Sequence, residues 1–142
     1  MGATSGASGT LDVSIVGNGG LTAIPAGAVE LIAAATAAAA SITLNLAAAP
    51  GKTTYMTALQ ITATGATAAG SVVATVFLAG SALTLSFVFA VPAGATVGVA
   101  PLIVVFPAPI SAGAPNAVIQ TILPALGAGN LHAAVNVMGY QL

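Results

Sequence analysis

The chain has 142 residues, 58% of them hydrophobic, and its only charged side chains are Asp12, Glu30 and Lys52. That length suits one domain with a real core. A single lysine and no arginine exclude the phosphate contacts on which nucleic-acid binding depends, and the absence of cysteine excludes a disulfide framework.

Taken in chain order, MGATSGASGT is too poor in bulky residues to order itself, and it lacks the basic and apolar regions of a secretory signal. It opens an expected N-terminal arm over residues 1–24, followed by a single β-sandwich domain over 25–142. Within the arm, LDVSIV (Leu11 to Val16) and LTAI (Leu21 to Ile24) read as short strands broken by glycine turns. The alanine-rich segment Val29 to Ala40 is the one place that predicts a short helix. ASITLNLAA then alternates, with Ile42, Leu44 and Leu46 on one face and Thr43 and Asn45 on the other.

Gly51-Lys52-Thr53 invites comparison with a phosphate-binding loop, but Leu46 stands where that motif needs a glycine, and TTYMTALQITA after it reads as a strand. Ala49-Pro50-Gly51-Lys52 is therefore expected to be a turn with Lys52 solvated at its tip. In the next strand Tyr55, Thr57, Leu59 and Ile61 share a face. Gly65 to Gly70 turns the chain. VVATVFLA and LTLSFVFAV make a hairpin around Gly80-Ser81, with Leu83, Leu85, Phe87, Phe89 and Val91 as its inward stripe.

Pro101 places VGVAPLIVVF (Val97 to Phe106) at a sheet edge or a bend. Pro107, Pro109, Gly113 and Pro115 suggest a rigid connection, and NAVIQTIL (Asn116 to Leu123) and LHAAVNVMGYQL (Leu131 to Leu142) complete about eight to ten strands. The fold class expected is all-β, an antiparallel β-sandwich of jelly-roll or related type. The turn signals leave no long apolar helix, and two tyrosines without tryptophan make a poor barrel girdle, so no membrane partner is expected.

Catalysis needs a positioned base and a group that orients it. His132 with Asp12 or Glu30 matches no known nucleophile arrangement, and its bland reading is a polar residue at the start of the last strand. Three candidate ligands at 12, 30 and 132 make a weak metal site. The glycines at 17, 19 and 20 are not followed by a helix and a later acid, which excludes a dinucleotide fold. Phe77, Phe87, Phe89 and Phe106 read as core. No catalytic, cofactor-binding or metal residue is assigned. Tyr55 and Tyr140 are the only stacking surfaces a sugar could use. What remains is an apolar assembly surface, held by burial and not by ion pairs.

Three stretches, GKTTYMTALQITATGATAA, PLIVVFPAPISAGAPNAVI and ALGAGNLHAAVNVMGYQL, carry a resemblance that spans the C-terminal two-thirds of the chain. They are similar to small β-sandwich structural proteins of tailed bacteriophages, of capsid decoration or cement type. The resemblance implies a non-enzymatic virion protein on the capsid exterior, made in the host cytoplasm. Its implied partners are itself, as a homotrimer, and the major capsid protein, with the segment from Gly2 to Ile24 reaching to neighbours. Alternatives on the same scaffold are a tail, baseplate or head-fibre component, a receptor-binding tip, or a carbohydrate-binding module.

Overall fold

Alternation of large apolar with small or polar residues sets the strands, and long-range pairing sets their order. A computed structural model describes residues 24–142. The expected arm, with LDVSIV and LTAI, lies outside the described residues except for Ile24. Among the described residues there are eight strands and no helix: β1 (Val29–Ala37), β2 (Ile42–Leu46), β3 (Thr53–Ala63), β4 (Gly70–Leu78), β5 (Leu83–Val91), β6 (Leu102–Pro115), β7 (Ile119–Leu123) and β8 (Ala133–Gln141).

The strands form two four-stranded sheets, β1-β8-β3-β6 and β2-β7-β4-β5, antiparallel throughout. The first strand pairs with the eighth, the second with the seventh, the third with the sixth and the fourth with the fifth. That nesting is one long antiparallel hairpin rolled over itself, the jelly-roll form of a sandwich. Between the sheets lie Met56, Leu59, Ile61, Val135 and Val137 from one side and Ile42, Leu46, Val76, Leu78, Phe89, Ile119 and Leu123 from the other. Each such side chain contributes about 1.5–3 kcal/mol by leaving water.

Four sequence expectations about the strands and their faces change. The segment expected as a helix is β1, paired with β8 along all nine residues. Alanine's helix preference is a weak prior, and the inward row Leu31, Ala33, Ala35 and Ala37 gains more by packing on the core. In β3, Tyr55 and Leu59 lie on opposite faces because the register shifts between Met56 and Ala58, making Thr57 a bulge residue. Thr54 and Met56 are buried before the bulge, and Leu59 and Ile61 after it.

The proline-rich stretch expected as a rigid connection is the second half of β6, which begins after Pro101 and runs to Pro115. Phe106, Pro107, Ala108 and Pro109 lie in a wide irregularity between the pairs Ala58–Val105 and Met56–Ile110. An edge strand tolerates prolines there because no ladder bond is lost. Phe77 is the fourth change: it points to the outer face beside Gln120 and Thr84 and is only half-buried, while Phe89 is buried and Phe87 and Phe106 pack partly on the core. The inward stripe of β5 keeps its expected parity, grading from exposed Leu83 to buried Phe89 and Val91.

Candidate functional site

The two outer faces of the sandwich differ in chemistry. On β2-β7-β4-β5 the strand registers align Thr43, Ile122, Thr75 and Ser86 in one row and Asn45, Gln120, Phe77 and Thr84 in the next. Hydroxyls and amides fill these two rows, and Gln120 Nε2 donates to Asn45 Oδ1 at 3.2 Å. Beyond them the pair Val73–Val88 is apolar and exposed, so this face is polar at one end only.

The outer face of β1-β8-β3-β6 has an apolar middle. One row crosses all four strands as Ile32, Met138, Ala58 and Val105. The next is Ala34, Asn136, Gln60 and Ile103, with Asn136 Nδ2 donating to Gln60 Oε1 at 3.3 Å. Ile32 is 66% exposed, Ile103 62%, Val105 52% and Met138 44%. These large apolar side chains are 44–66% in water, and small alanines between them keep the surface flat. A contiguous exposed apolar patch of this kind makes the face a candidate contact site.

At the end of this face, Glu30, Tyr140, Tyr55 and Ser111 share a row. The fold thus brings together an acid and the two tyrosines, which lie far apart in sequence. The rings of Tyr55 and Tyr140 stack on one another with centroids 5.0 Å apart and planes 20° from parallel. Tyr140 is buried, and that burial, with a smaller contribution from Tyr55, holds its phenol above the usual tyrosine range. A sugar-stacking platform needs an open ring face, and this pair uses one face of each ring on the other.

His132 stands at the opposite end, exposed and immediately before β8. It borders a cleft of about 600 Å³ lined by Thr36, Thr62, Thr64, Leu131 and neighbouring alanines. The buried Asn130 builds this corner: its Nδ2 donates to the carbonyls of Thr64 at 2.7 Å, Gly65 at 3.2 Å and His132 at 3.3 Å. Glu30, opposite Tyr140, is seven residues along β8 from Ala133, about 24 Å at ~3.4 Å per residue, and so cannot orient the imidazole. Asp12 lies outside the described residues. Among the described residues no cluster of three or more potential metal ligands exists, and no helix is long and apolar enough to cross a membrane.

Lys52 closes a turn in which its N–H donates to the Ala49 carbonyl at 3.1 Å, with Gly51 at φ 72°. The turn is pinned by Asn116, whose Oδ1 accepts from Gly51 N at 2.7 Å and whose N–H donates to the Lys52 carbonyl at 2.9 Å. Strand β3 follows Lys52, so the helix that a phosphate-binding loop requires is not there. Lys52 is half-buried, not fully solvated as its place in the turn suggested.

Comparison with known protein families, curated proteins and solved structures returns no match. The apolar outer row is the candidate feature that motif reasoning misses. One signal for half of it is present: LIVVF in β6 is apolar at five consecutive positions, the mark of a strand covered on both faces. Ile103 and Val105 have no second layer within the described chain.

Proposed function

We propose that this chain is a structural protein of a bacteriophage virion, a capsid decoration or cement protein that works as a homo-oligomer and docks on the head shell through the outer face of β1-β8-β3-β6. The observation that carries the reading is the row Ile32, Met138, Ala58 and Val105, which runs across four strands with no charge in it. The sequence resemblance supplies the virion context, and the jelly-roll sandwich, used in viral capsid domains, is in keeping with it. Fold alone does not choose among functions, so the face is what argues for contact with protein.

Four strands about 4.8 Å apart and about 31 Å long present roughly 600 Å². A wholly apolar area of that size would contribute on the order of 15 kcal/mol gross at ~25 cal/mol per Å², and this face, which also carries Glu30, Asn136, Gln60 and Ser111, contributes less. Association costs roughly 4–15 kcal/mol, so a face of this size suffices to hold a subunit in the lower part of that range. The work is mechanical: each docked subunit adds contact area that must be broken before the shell comes apart, and no bond is made or cleaved.

Quantitative mass spectrometry of purified particles from the source culture tests the proposal. The expected copy number is of the same order as that of the main shell subunit. A few copies per particle would move the chain to the tail or a fibre, and absence from particles would overturn the virion reading.

A further inference from the structure

We infer that β5 is a pairing edge, and that two copies of this chain join through antiparallel β5–β5 contact about a two-fold axis at Phe87. Each sheet has two edge strands, and an exposed edge carries a row of unpaired backbone donors and acceptors that folded proteins normally blunt. Three of the four edges here carry a blunting device. Strand β6 has Pro107, Pro109 and Pro115 and an irregular register. Strand β2 is five residues long, and β1 carries Glu30 on its outer side.

Strand β5, LTLSFVFAV, carries none of these. It has no proline, glycine or charge, and it pairs with β4 in unbroken register over all nine residues. Among the described residues its other side has no partner strand. Its exposed positions include Leu83 and Val88, the latter 72% in water.

A second copy is the occupant that this edge fits. An axis at Phe87 overlaps all nine residues, setting Leu83 against Val91, Leu85 against Phe89 and Phe87 against its own equivalent. Inward residues then meet inward residues, and Ser86 meets Val88 on the outer side, so the alternation of both strands is kept. No like charges are brought together, since the strand has none. The half-exposed Leu83, Leu85 and Phe87 at the open side of the sandwich gain a cover. The strand edge itself, about 31 Å long and about 10 Å thick, offers about 300 Å² per copy, less than a standard interface, so the ladder hydrogen bonds along nine residues and the cover given to Leu83, Leu85 and Phe87 carry the pairing. The contact is isologous, so it closes a pair, not the trimer that the resemblance implies. It leaves the outer face of β1-β8-β3-β6 free, so loss of pairing and loss of shell docking are separate results.

The test uses the full chain in sedimentation velocity at micromolar concentration. The wild type is expected at twice its 13.3 kDa chain mass. Ser86→Lys with Val88→Lys sets lysine opposite lysine twice across the axis and should give a folded monomer, with at least a tenfold weaker association constant. Ser86→Lys with Val88→Glu sets opposite charges face to face and should restore the pair. Val73→Lys, next to Val88 but one strand in from the edge, should leave pairing intact. Hydrogen exchange on the wild type gives a reading that needs no variant: β5 amides directed away from β4 should gain protection as concentration rises. A monomeric wild type, a pair that survives the double lysine, failure of the lysine–glutamate variant to restore it, or loss of pairing in Val73→Lys would each overturn the inference, as would β5 edge amides that exchange freely at every concentration.

Discussion

Thr121 is buried at 1% exposure, and its hydroxyl has no hydrogen-bond partner. It faces inward between Leu44 and Val76. An unpaired buried hydroxyl costs about 1–3 kcal/mol, so Thr121→Val, which keeps the shape, is expected to raise stability by about 1 kcal/mol in urea unfolding. Asn130 is a mixed case: its amide nitrogen donates to the carbonyls of Thr64, Gly65 and His132, while its buried Oδ1 has no partner. Tyr140 makes stability depend on pH. Its folded pKa is raised, first by burial and then by Tyr55, above the ordinary value of 10.0. The neutral phenol is the favoured form in the folded state, so this contribution is complete below pH 10 and is lost as pH rises through the folded pKa. Unfolding free energy should begin to fall as pH rises past 10.0 and go on falling until the folded pKa is passed, and Tyr140→Phe should flatten that fall while leaving neutral-pH stability nearly unchanged.

At the scale of elements, the β3 bulge decides which side chains meet the core. Gly139 pairs with Met56 beside it and points inward, where an added Cβ would strike the Tyr55 carbonyl oxygen and press on Leu46. Gly139→Ala is expected to cost about 3 kcal/mol or more, measured by thermal unfolding, because backbone cannot yield as a side chain can. The inward parity of β2 and β5 is legible in the sequence because large apolar residues alternate there with threonine, asparagine or serine. The bulge is not legible: Tyr55, Thr57, Leu59 and Ile61 keep an unbroken period of two, and only pairing with β8 and β6 reveals the shift. Strand β1 is hidden because alanine has no parity signal and a helix-leaning propensity. In β6 the prolines mislead, since edge position, a tertiary property, removes their penalty.

For the whole molecule, the jelly-roll nesting places six of the twelve exposed large apolar residues of the described chain in two locations, the outer face of β1-β8-β3-β6 (Ile32, Ile103, Val105, Met138) and the free edge of β5 (Leu83, Val88). Half of the first was readable in LIVVF; Ile32 and Met138 were not, because only cross-strand register sets them in a row with Val105. Glu30 and Lys52 are the sole charges in the described chain, so contacts made by these surfaces have almost nothing for salt to screen. Sedimentation velocity at micromolar concentration in about 0.05 M and about 0.5 M salt, where the Debye length falls several-fold, is the most direct measurement of that claim. The account predicts the same oligomer in both buffers; a stable monomer in either one, or an assembly that dissolves as salt rises, would contradict it.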